Sequence, residues 1–184
     1  MQMNKLNTVA KIITKILEVI HWISAVFMAV CGGTAVIAPD MLYKLVDVES
    51  LKVSTDTSVY GFDVNVLNAA GEFDTVTFAL FSAGAFVIFV AVAMIFRNIN
   101  IIIKKSENST PFQSDNIRML REIGIFSIAI PIVGLIITAL IRIINPDIEA
   151  SVNQSGIIMG IIVLCLTQVF VRGAEMEKDV DGLV

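Results

Sequence analysis

Glu18 and His21 are the residues best placed to do chemistry in an otherwise oily stretch of chain. They stand three residues apart inside a long apolar run, so a helix puts them on one face. An imidazole and a carboxylate sharing a face within a membrane can handle a proton or contribute to a metal site. One of each falls short of the ligand set a metal needs. Both also lie towards the end of the run that carries Lys5, Lys11 and Lys15, beside Trp22. There a side chain reaches headgroups or a neighbouring helix, and Trp acts as an interfacial anchor. Glu18 and His21 are the intramembrane polar candidates, with proton handling set against simple anchoring.

A second set surrounds a polar hinge, Ser109 to Gly124, which reads STPFQSDNIRMLREIG. Thr110 is placed as an N-cap, Pro111 at the first helical position and Gln113 as the capping-box partner. The helix this opens is amphipathic. Phe112, Met119, Leu120 and Ile123 gather on one side, while Asp115, Arg118, Arg121 and Glu122 supply charge. It runs without a break into the next apolar run, so it is either a docking surface or a surface helix that merely enters a span. A short acidic tail, 172–184, supplies Arg172, Glu175 and Asp179. Phe112, Asn116, Arg118, Arg121, Arg172, Glu175 and Asp179 are the partner-binding candidates.

Catalytic signatures are missing from the sequence. It has no G-x-S-x-G, no H-E-x-x-H and no phosphate-cradling glycine loop, and its one His lacks a triad. The reading is a non-enzymatic protein with no cofactor and no metal. Acids between Pro39 and Asp74 match no calcium-loop spacing, and Cys31 and Cys165 read as small apolar residues buried in spans. A net charge of −4 and no basic motif beyond loop lysines give no basis for direct nucleic-acid binding.

The elements that position these residues follow from hydropathy. The chain is 56% hydrophobic and 16% charged, too apolar for a soluble domain. Four runs approach the ~20 helical residues that cross a bilayer: about 14–38, 74–97, 123–144 and 152–171. The first is longer than a signal-peptide core and lacks a small-x-small cleavage site, so it is a span that stays. Between the first two spans, the outer segment 39–73 is acidic. It alternates from Phe62 through Val64 to Val66, with Val53, Thr55 and Thr57 as a second β-prone stretch, which predicts a hairpin or small sheet capping the helices. Asn68 to Gly71 reads as a turn. Pro131 is placed to kink the third span. Gly156 and Gly160 form a G-x-x-x-G pair, read as packing within the monomer rather than dimerisation, although a homo-oligomer stays open.

Orientation follows the positive-inside rule. With both termini in the cytoplasm, the loop 98–122, the N-terminal lysines and the tail hold most of the Lys and Arg. Lys44, Lys52 and Arg142 fall outside. The expected object is an α-helical, multi-pass protein of the cell (inner) membrane: four transmembrane helices, bundled, with a small extracytoplasmic β-rich insertion between the first and second.

Ser109-Thr110-Pro111-Phe112 with Asn116 through Gly124 resembles the T-P-F…N-x-x-x-L-x-x-I-G signature of a bacterial membrane family catalogued as domain of unknown function 2975. Phe170-Val171-Arg172-Gly173, leading to Met176 and the acidic end, is similar to its closing F-x-x-G-x-x-L motif, with Met176 in place of Leu. The four-span layout matches as well. Members are typically encoded beside a small helix-turn-helix regulator, so the resemblance implies a membrane partner or modulator of such a regulator. The competing expectation is a small transporter, channel or export-related subunit. That class would show repeats, broken helices or several polar groups at mid-membrane, where this sequence offers chiefly Thr138, Thr167 and Gln168.

Overall fold

The structure is a computed structural model and describes residues 2–45, 56–68, 72–106, 110 and 112–181. Helices α1 (Gln2–Ile37), α2 (Pro39–Leu45), α3 (Thr75–Lys105), α4 (Ser114–Ile144) and α5 (Ser155–Asp181) alternate with strands β1 (Asp56–Val59), β2 (Phe62–Asn65) and β3 (Ala150–Val152). All but α2 are long and apolar enough to cross a membrane. A 31-residue helix such as α3 or α4 runs about 46 Å at 1.5 Å per residue, well beyond a ~30 Å hydrocarbon core. Ile13, Ile20, Ile23 and Phe27 of α1 and Ile158, Ile161, Ile162 and Val169 of α5 point outward. Apolar surface of that extent is a liability in water and is satisfied by lipid.

Helix ends follow from capping chemistry. The Asp74 carboxylate accepts from the Val76 and Thr77 amides at 2.9 Å and so caps α3, while Lys104 and Lys105 in its last turn suit the negative end of the helix dipole. At α4 the expected cap is displaced. Gln113 is the N-cap, without a side-chain cap bond, and the helix begins at Ser114. Thr110 instead donates its hydroxyl to Glu177 of α5 at 3.3 Å; Pro111 lies outside the described residues. Asn145 follows the last residue of α4 and donates its amide to the second Asp74 oxygen, tying the end of α4 to the start of α3.

Packing runs in chain order: α1 on α3, α3 on α4, α4 on α5. Successive helices are antiparallel, so both termini and the α3–α4 connection share one end, the terminal end; the strands lie towards the other, the sheet end. Among the described residues α1 and α5 share no extensive contact. The expected bundle is therefore drawn out as a row. At the α4–α5 contact, a Cβ on Gly156 would stand 2.7 Å from the Ser127 carbonyl oxygen, and one on Gly160 2.7 Å from that of Gly124. The G-x-x-x-G pair lets two backbones of the same chain meet, as its spacing predicts. Cys31 is buried, but Cys165 faces outward, contrary to expectation, because α5 contacts only one neighbouring span and leaves most of its circumference exposed.

The strands form one antiparallel sheet in the order β1-β2-β3, with Val59 opposite Phe62 and Val64 opposite Ala150. The hydropathy pattern predicts no strand at 150–152 and starts the fourth span at about Val152. Val152 instead pairs with Phe62, and α5 begins at Ser155, whose amide donates to Asn153. Phe62, Val64 and Val66 are all inward and buried, confirming the alternation; Val53 and Thr55 lie outside the described residues, as do 69–71 of the expected turn. Tyr60 and Gly61 make the two-residue turn between β1 and β2, with φ of +51° and +77°, as a tight hairpin requires. A Cβ on Gly61 would also stand 2.7 Å from the Asn153 side chain.

The sheet is a wedge rather than a cap. Phe62 stacks on Phe81 of α3, 5.3 Å between centroids. Gly84 of α3 and Gly134 of α4 leave room for Phe62, Ile137 and Val152. Tyr60 reaches Phe89, 6.3 Å away. Phe89 is 14 residues into α3, so the hairpin tip lies about 21 Å along that helix. Non-helical backbone at such depth is tolerated in a membrane only when enclosed by protein or facing water.

Candidate functional site

The two motifs that stood apart in sequence are interlocked at the terminal end. Phe112 precedes α4, and its ring meets Phe170 of α5 at 5.6 Å. A Cβ on Gly173 would stand 2.6 Å from that ring, so only glycine lets the α5 backbone lie on Phe112. Phe112 is thereby spent largely on internal packing. Beside it opens a groove of about 460 Å³, lined by the N-cap Gln113, by Ser114 and Ile117 from α4 and by Val171, Glu175 and Lys178 from α5.

Charges of both signs frame the groove. Ser114, Arg118 and Arg121 fall at i, i+4 and i+7, on one face of α4. Arg118 is exposed and lies 3.7 Å from Glu122, whose other oxygen accepts from Asn98 of α3 at 2.9 Å. Arg121, Arg172, Glu175 and Asp179 are exposed. Asn116 is not: at 3% exposure it faces the helix interior and is out of reach of a partner. Lys105 and Asp115 form an ion pair across the α3–α4 connection. In chemical terms this is a small groove in which α5 supplies Glu175, Glu177 and Lys178 and the α4 side supplies Gln113, Ser114 and Ile117, while exposed Arg118 and Arg121 follow further along α4.

Glu18 and His21 lie elsewhere, on the buried face of α1. His21 sits at the middle of the Leu6–Ile37 apolar helix, 7% exposed; Glu18 is 8% exposed. They do not act as a pair. Glu18 accepts from Lys15 at 3.1 Å. His21 places Nδ1 2.6 Å from the Leu17 carbonyl oxygen and Nε2 against the Tyr60 hydroxyl of the hairpin tip. A carbonyl oxygen can only accept, so Nδ1 carries the proton, and in the neutral ring Nε2 accepts from Tyr60. Phe96 and Phe89 close around the imidazole at 5.3 and 6.0 Å. Nearer the terminal end, Asn100 donates to the Thr14 hydroxyl at 2.8 Å and to the Lys11 carbonyl at 2.7 Å, joining α3 to α1.

Sequence reasoning missed Tyr60, Asn98 and Asn100. A signal existed for each: a Tyr-Gly pair before the alternating run, and two asparagines in an otherwise apolar helix. No group of three or more metal-binding side chains occurs among the described residues. No family model, curated protein or solved structure matches the chain.

Proposed function

We propose that this chain is a non-enzymatic membrane protein, with both termini in the cytoplasm, whose terminal end docks a small helix-turn-helix regulator. The observation that carries the reading is the interlock of Phe112 with Gly173 and Phe170. It spends the apolar residues of both motifs on building a groove lined by Glu175, with Arg118, Arg121 and Asp179 exposed on the same two helices. The orientation is supported by charge: Lys11, Lys15, Lys104, Lys105, Arg118, Arg121 and Arg172 belong to the terminal end, Arg142 to the sheet end. Choosing a helix-turn-helix partner rests on the family resemblance and on chemistry. The acidic α5 wall complements a basic DNA-reading face, and occupying that face competes with the phosphate contacts that dominate non-specific DNA affinity.

Two variants test this. Arg118→Glu with Arg121→Glu reverses the charge exposed on α4, and truncation after Ala174 removes the charged end of α5 while keeping the Phe112–Gly173 contact. Each releases the regulator from the membrane and changes transcription of its targets. If both proteins stay folded and the regulator's localisation and output do not change, the docking idea fails.

A further inference from the structure

We propose that His21 and Tyr60 form a proton-sensitive latch that holds the β1–β2 hairpin inside the helix row. The two residues come from opposite parts of the fold, the middle of α1 and the tip of the hairpin, and they share a single hydrogen bond. Its direction is fixed by the other ring nitrogen. Nδ1 is committed as donor to Leu17, so the seated hairpin matches the neutral imidazole, with Nε2 accepting from the Tyr60 hydroxyl. Protonation turns Nε2 into a donor, and the Tyr60 hydroxyl proton must turn away.

The surroundings decide how the protein accommodates that charge. His21 is 7% exposed and packed by Phe89 and Phe96. Among the described residues, the charged groups on the elements around it are already taken. On α1, Glu18 is held by Lys15. On α3, Asn98 and Asn100 are neutral, and Arg97 is exposed and directed to Met94. On α4, Glu122 is held by Asn98 and Arg118. The hairpin brings only Tyr60 to the ring. Ring faces offer an imidazolium some cation–π attraction, but an enclosed cation without a counter-ion is relieved most readily by water. Tyr60 is itself 52% exposed, so it is the group whose withdrawal opens the ring to water. Acidification therefore unseats the hairpin, and the chain responds to protons through the sheet that fills its row.

The unmodified chain in lipid nanodiscs provides the first test, because it has one His and two Tyr. With ¹⁵N-His and ¹³C-Tyr labels, the imidazole at pH 8 should carry its proton on Nδ1. The Tyr60 Cζ signal should move together with His21 protonation. The second test replaces Val64, 1% exposed, by Cys on a Cys31→Ala, Cys165→Ala background and follows labelling by an impermeant maleimide. Rates are compared at each pH with the same protein carrying His21→Gln, so that thiol ionisation cancels. The ratio should rise as pH falls, by up to about tenfold per pH unit, the limit for one coupled proton. An Nε2–H imidazole at pH 8, a Tyr60 signal unmoved through the His21 transition, or a pH-independent labelling ratio overturns the latch.

Discussion

Two glycines in equally apolar helices should respond to the same substitution with opposite sign. Gly160→Ala places a methyl against the α4 backbone, 2.7 Å from the Gly124 carbonyl oxygen and 3.1 Å from the Ile128 amide nitrogen. Ordinary contact begins at 3.4 Å, so even after the Ile128 side chain, 2.4 Å away, has moved aside, α5 must retreat by about 0.7 Å, and a gap of that size forfeits a quarter to a half of each contact along the seam. Overpacking of this kind costs about 1–3 kcal/mol, and rigid backbone on the receiving side argues for the upper half. The helix gains about 1 kcal/mol from replacing Gly by Ala. The net is a loss of about 1–2 kcal/mol. Gly33 on α1 has nothing within 4 Å of an added Cβ, so Gly33→Ala retains only the propensity gain and is neutral or stabilising by up to about 1 kcal/mol. Reversible unfolding in mixed micelles at graded SDS measures both. Equal effects of the two variants, or a stabilised Gly160→Ala, would refute the α4–α5 contact as described.

Asp74→Ala removes the α3 cap and the tie to Asn145 together, and should cost at least the ~1 kcal/mol typical of a cap; Asp74→Asn should recover most of it in the same assay. Gly61→Ala forces a side chain into a positive-φ position against Asn153 and should destabilise by about 1–3 kcal/mol, with faster amide exchange at Phe62 and Val64; unchanged exchange would argue against the turn. Cysteines introduced at Ser58 and Ser106 should label from outside and only after permeabilisation, respectively, and external labelling at Ser106 in intact cells would reverse the orientation.

Hydropathy carried most of the fold, because lipid-facing helices need only length and apolar content. The inward alternation of Phe62, Val64 and Val66 was readable for the same reason: period two survives in a short strand. What stayed hidden depends on distant pairing. β3 is three residues long, too short for any periodic signal, and exists because β2 offers it an edge. The depth of the hairpin comes from room left by Gly84 and Gly134, which no local pattern announces. His21 was found as a polar residue in an apolar run, yet its partner lies 39 residues away. The cap pattern at Thr110 misleads because its hydroxyl has a competing acceptor in Glu177, from the far end of the chain. Around the groove, the exposure of Arg118, Arg121, Glu175 and Asp179 is legible from charge patterning, whereas the burial of Asn116 is not.

The most direct test of the docking proposal is site-specific photo-crosslinking in native membranes, with the photoreactive residue at Ser114 or Glu175 on the groove and at Val36 on the exposed far end of α1 as control. The account predicts that both groove positions capture one small, basic, DNA-binding protein, that the control does not, and that reversing Arg118 and Arg121 abolishes the product. Capture of lipid alone at the groove, or the same products at Val36, would contradict it.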